Sequence, residues 1–128
     1  MTATAPLDVL IVDDSAAIRK ILQRVLRQTD LNLGEIKEAG DGTEAVEILK
    51  DRTFGLILSD INMPQMDGLQ LLAKIKEMAH LKNVPVIMIT TEGGQGKVME
   101  AVALGATGYV RKPFTADQIK EKLAGVIV

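Results

Sequence analysis

Three short apolar runs each end in polar chemistry. Val9-Leu10-Ile11-Val12 leads into Asp13-Asp14, Leu56-Ile57-Leu58-Ser59 into Asp60, and Val86-Ile87-Met88-Ile89 into Thr90-Thr91-Glu92. Runs of this length without polar alternation read as strands buried on both faces, the pattern of a parallel sheet. In open α/β sheets ligands bind beyond the carboxyl ends of the strands, so these termini belong to one rim. Carboxylates crowded there repel one another and cannot all stay ionised cheaply without a cation among them. The pattern therefore predicts a hard divalent metal with oxygen ligands.

Between the runs the periodicity is helical. Ile18, Ile21, Leu22, Val25 and Leu26 fall on one stripe, Ser15 stands where an amino-terminal cap belongs, and Arg19, Lys20 and Arg24 lie outside it. Residues 35–39 form a short charged strand, suited to an exposed edge because charge discourages pairing with another chain. Asp41-Gly42 signals a turn into a second helix over residues 43–50, with Ala45, Val46 and Leu49 inward. After Asp60, a loop with Asn62, Pro64, Asp67 and Gly68 leads to a third helix lined by Leu69, Leu72, Ile75 and Ala79.

Residues 84–89 make the fourth strand, with Pro85 near its start, where a missing donor is tolerated. Gly93, Gly94 and Gly96 precede a fourth helix over residues 97–104, Gly105 closes it, and Gly108-Tyr109-Val110 is the last strand. A final helix runs from residue 115 or 116 to near 126, with Ile119, Leu123 and Val126 inward. Strands and helices in strict alternation with short connections predict right-handed crossovers and helices on both faces of the sheet. Residues 1–6 read as an N-terminal tail and 7–128 as one domain, without linker or repeat.

Composition narrows the function. Of the residues, 47% are hydrophobic and 25% charged, as in ordinary globular chains, and the rings are few: Phe54, Tyr109 and Phe114. With 17 acidic against 15 basic residues and no basic cluster, there is no electrostatic footprint for nucleic acid. The cysteine count of zero excludes disulfide and thiol chemistry. No run approaches membrane-spanning length and no signal sequence opens the chain, so the default location is the cytoplasm.

Asp13-Asp14, Asp60 within Asp60-Ile61-Asn62-Met63-Pro64, Thr90, and Tyr109 to Lys112-Pro113-Phe114 stand in order, each at a strand end. In these markers, and along essentially its whole length, the chain resembles the receiver domains of two-component response regulators, most closely the single-domain chemotaxis regulators of the CheY type. The resemblance implies an α/β, flavodoxin-like (CheY-like) doubly wound sheet of five parallel strands in the order 2-1-3-4-5, with helices on both faces. It also implies phosphoryl transfer to a carboxylate. Asp60 would be the phosphoacceptor, with Mg²⁺ held by Asp14, Asp60 and the backbone carbonyl of Asn62, and by Asp13 through water. Lys112 and Thr90 would contact phosphoryl oxygens, and Thr90 and Tyr109 would form the switch. Asn62 and Glu92 would flank the path of the hydrolytic water, and Thr91, at a position where receivers carry Ala, Gly, Ser or Thr, would narrow access to Asp60, so that the three tune hydrolysis. The Lys112–Pro113 bond would be cis.

The implied partners are a CheA-like histidine kinase as phosphodonor and a target protein on the face made by the fourth helix, last strand and last helix, such as a flagellar motor switch. The expected state is a monomeric, stand-alone signalling module that is not an enzyme beyond its own phosphoryl chemistry. Its alternative is a phosphate sink or phosphorelay intermediate without an output. Taken singly, Asp13 and Asp14 also suit helix capping, and His80, the one histidine, suits the dipole at a helix end. Two other classes fit poorly. Haloacid-dehalogenase phosphatases carry their nucleophile in a first-strand Asp-x-Asp motif, and a flavin-binding flavodoxin needs a hydroxyl-rich phosphate loop where this chain has acids.

Overall fold

Parity along the strands decides which side chains meet which helices. In the computed structural model, which describes residues 6–29, 31–61, 63, 66–90, 95–112 and 114–126, five parallel strands form one sheet in the order β2-β1-β3-β4-β5. The elements are β1 (Leu7–Val12), α1 (Ala16–Arg27), β2 (Leu33–Ala39), α2 (Gly42–Leu49), β3 (Leu56–Asp60), α3 (Gly68–Glu77), β4 (Val86–Thr90), α4 (Gln95–Ala103), β5 (Gly108–Arg111) and α5 (Ala116–Val126), with a 3-10 turn at Ala79–Leu81. Successive strand residues point to opposite faces. Leu10, Val12, Ile57, Val86 and Met88 pack on one side with Ala45, Leu49, Leu72, Ile75 and Ala101 of α2, α3 and α4. Val9, Ile11, Leu56, Leu58, Ile87, Ile89 and Val110 pack on the other with Leu22, Val25 and Leu26 of α1 and Ile119 and Leu123 of α5. Both faces of the central strands are covered, which is why their sequences do not alternate.

Caps set the helix starts. Ser15 caps α1 by accepting from the Ile18 N–H at 3.3 Å. Asp41 caps α2 through the Glu44 N–H at 2.8 Å. Asp67 and Gln70 close a reciprocal capping box on α3. Thr115 and Gln118 exchange the same pair of bonds ahead of α5.

Several boundaries differ from the sequence expectation. β2 starts at Leu33 rather than residue 35, because the Leu7–Leu33 pairing extends the edge ladder across a register irregularity. α2 is shifted one residue toward the amino terminus, with Asp41 as its cap. α3 stops at Glu77 because Met78 is extended (φ −88°, ψ 118°), so Ala79 belongs to a separate turn and is exposed rather than lining the helix. β4 starts at Val86 and reaches Thr90, which pairs with Arg111. α4 begins at Gln95, which puts Gly96 inside the helix rather than before it. Gly105 ends it in the left-handed region (φ 102°), as the sequence suggested. Among the described residues no helix is long and apolar enough to cross a membrane.

Candidate functional site

The strand order reverses at β1: the chain adds β2 on one side and returns to place β3 on the other. That switch opens a crevice at the carboxyl ends of β1 and β3. Register then delivers the acids to it. Val12 lies opposite Ser59 and Asp60 opposite Ile89, so Asp13 leaves β1 beside Asp60 at the end of β3. The ladders run on one step beyond the strands, with Asp13 N–H donating to the Ala39 carbonyl and Ile61 N–H to the Ile89 carbonyl, each at 3.1 Å.

Asp13, Asp14 and Asp60 each offer a carboxylate oxygen within 4.8 Å of the others. Asp13 is 1% exposed and Asp60 3%, while Asp14 lies at the surface. Asp13 has both oxygens engaged by the protein: Oδ1 accepts from the Ser15 N–H at 2.8 Å and Oδ2 from Lys112 Nζ at 3.0 Å. Lys112 also pairs with Asp60 Oδ2 at 3.3 Å. Burial is the largest single influence on the Lys112 ammonium and acts to lower its pKa. The hydrogen bond to Asp13 and the charges of Asp60 and Asp13 outweigh it, and the net shift is upward. Lys112 is therefore firmly cationic at neutral pH. Oxygen-only donors carrying three formal negative charges within one small crevice suit a hard divalent ion and not a soft one.

Thr90 ends β4, on the neighbouring strand to Asp60. Asn62, Thr91, Glu92 and Pro113, and with Pro113 the isomer of its peptide bond, lie outside the described residues. Tyr109, on edge strand β5, is 41% exposed, with Lys122 Nζ 5.5 Å from its ring centroid. Lys122 reaches the ring from α5 with its stem across Gly108, where an added Cβ would sit 3.2 Å from Lys122 Cδ. His80 sits in the 3-10 turn rather than on α3, its Nε2 2.7 Å from the Leu49 carbonyl at the end of α2.

Residues 9–124 match the family model for the response regulator receiver domain. The chain belongs to that family. Over 115 residues it is 44% identical to the chemotaxis protein CheY-3 of Vibrio cholerae, covering 90% of this chain and 87% of that one. It is 42% identical over 115 residues to the chemotaxis protein CheY of Pseudomonas aeruginosa, covering 90% and 91%. The solved structure of the chemotaxis response regulator CheY4 of Vibrio cholerae superposes with a TM-score of 0.86 at 35% identity, covering 96% of this chain and all of that one. The receiver resemblance and the strand order expected from the sequence are both met.

Two parts of this receiver's rim were not singled out in the sequence. Gly68 opens α3 directly beneath the end of β3: a Cβ there would lie 2.1 Å from the Asp60 carbonyl oxygen and 2.7 Å from Ile61 Cα. Its N–H donates to the Ile61 carbonyl at 2.7 Å. The sequence alone places Gly68 in the loop before this helix. Arg19, placed outside the apolar stripe of α1, is not a solvated cation but donates to the Asp13 carbonyl and pairs with Glu38. Its long side chain gave no sequence signal for that reach.

Proposed function

We propose that this receiver accepts a phosphoryl group on Asp60, with Mg²⁺ bound at the rim, and switches partner binding through the α4-β5-α5 face. The observation that carries the reading is the meeting of Asp60 with Asp13, Asp14 and Lys112 at the topological switch of the sheet. A carboxylate oxygen of Asp60 attacks the phosphorus of a phosphohistidine. A new O–P bond forms as the P–N bond breaks, and the imidazole leaves with the electron pair. Such transfer depends chiefly on positioning and on neutralising charge over the phosphoryl oxygens. Asp14 and Asp60 would hold the metal directly with the Asn62 carbonyl, and Asp13 through water. Bound Mg²⁺ supplies charge neutralisation at the phosphoryl oxygens. Lys112 then moves its charge from the carboxylates onto a phosphoryl oxygen, and the Thr90 hydroxyl donates to another.

The added charge draws Thr90 inward, and the Tyr109 ring follows into the space it vacates, which changes the surface offered by α4, β5 and α5. Thr91, Glu92 and Asn62 tune the rate at which water removes the phosphoryl group. The chemotaxis relatives support a chemotaxis-type pathway, in which the receiver resemblance implies a CheA-like histidine kinase in the cytoplasm as donor and a flagellar motor switch component as target. Incubation with acetyl phosphate should add one phosphoryl group in Mg²⁺ and none in EDTA, and the Asp60→Asn variant should stay unmodified. Incorporation persisting in Asp60→Asn would reject the assignment, with His80 the next acceptor to examine.

A further inference from the structure

Arg19 ties the strand that carries the acid pair to its edge neighbour. One guanidinium nitrogen donates to the main-chain carbonyl of Asp13, the oxygen of the peptide that joins Asp13 to Asp14. Nε donates to Glu38 Oε1 at 2.7 Å, and Gln23 donates to the other Glu38 oxygen. Glu38 lies on β2 in register with Ile11 of β1, so the anchor is fixed to the same sheet as the acids. The Arg19 side chain is largely buried, at 18% exposure.

Other bonds at this loop hold Asp13 itself: its N–H donates to the Ala39 carbonyl, its Oδ1 accepts from the Ser15 N–H and its Oδ2 from Lys112 Nζ. The orientation of the Asp13–Asp14 peptide sets where the next carboxylate starts, and its oxygen is the atom Arg19 grips. A guanidinium presents its donors in a rigid planar fork, so fixing Nε on Glu38 aims the other nitrogen.

We infer that Arg19, anchored by Glu38 and Gln23, is a positioning residue for the metal site: it holds the Asp13–Asp14 peptide so that Asp14 can share a cation with Asp60. The inference rests on the reading that the acidic rim binds Mg²⁺. Groups that orient metal ligands from behind typically change metal affinity by about 10–100-fold. The sign of the effect separates positioning from charge. Removing a cation near an acidic site would, by Coulomb's law alone, tighten Mg²⁺ binding, whereas loss of positioning weakens it.

Calorimetric Mg²⁺ titrations of the folded protein decide it, with wild type and Asp14→Ala as the frame. Wild type that binds no Mg²⁺ would defeat the rim reading itself. With wild type binding and Asp14→Ala not, Arg19→Met should bind about tenfold more weakly. Glu38→Ala should shift affinity in the same direction, and the double variant should be no weaker than Arg19→Met, because Glu38 acts through Arg19. Arg19→Lys, which keeps the charge but not the planar fork, should also bind more weakly than wild type, and it serves if Arg19→Met fails to fold. Unchanged or tighter binding in the folded Arg19 variants, even with lowered unfolding stability, would overturn the inference.

Discussion

Without the Lys112 ammonium, Asp13 and Asp60 would sit buried side by side lacking the charge that now bridges them. Lys112→Met should therefore lower stability in EDTA by about 1–3 kcal/mol, the usual cost of leaving a buried polar group unsatisfied. Saturating Mg²⁺ should restore more stability to this variant than it adds to wild type, because the metal no longer competes with an ammonium. The pH dependence has a definite sign. The folded pKa of Lys112 is raised, so its stabilising contribution is fully present below the ordinary lysine value and fades as pH climbs through the raised one. The difference between wild type and Lys112→Met, followed by urea unfolding in EDTA, should be flat from neutral pH to the lysine range and shrink above it. Equal stability of the two proteins at neutral pH would contradict the bridging role. At this scale the acids were legible because they end apolar runs, and Lys112 through the receiver resemblance, by its place before Pro113 after the last strand. Arg19 was not, because periodicity tells that a residue leaves the core stripe but not that a long side chain folds back over the preceding loop.

Elements were legible where local chemistry marks them, and less so where tertiary contact does. Ser15 and Asp41 gave helix starts to within a residue, and Gly105 gave a stop. The end of α3 and the start of β4 depend on the extended Met78 and on pairing to β3 and β5, which composition does not announce. The glycines divide in the same way. Gly68 is required by the approach of α3 to the Asp60 carbonyl, while Gly96 has nothing within 4 Å of an added Cβ. Gly68→Ala should destabilise the fold by roughly 1–3 kcal/mol, as overpacking does. Gly96→Ala should stabilise it by about 1 kcal/mol through helix propensity. Thermal unfolding of the two variants checks both signs, and a neutral Gly68→Ala would show that α3 can back away from the rim without cost.

Across the whole molecule, the metal-type cluster and the β5 edge are separate places joined by one sheet. Asp60 pairs across to Ile89, Thr90 across to Arg111, and Tyr109 sits two residues before Arg111. The doubly covered parallel sheet was readable from the sequence because strands buried on both sides leave unalternated runs, and the strand order came with the receiver resemblance. The Lys122 contact at Tyr109 was not readable, since it depends on how α5 lies against the edge strand. The proposed function requires that charge placed on Asp60 be felt at that edge. Amide exchange measured in Mg²⁺ with and without beryllofluoride, a phosphoryl mimic, tests this most directly. The largest changes should fall in peptides spanning residues 90–97 and in β5 around Tyr109, with a smaller change at the Asp13–Ser15 loop. A response confined to α1 and β2, with residues 90–97 and β5 unaltered, would contradict the switch.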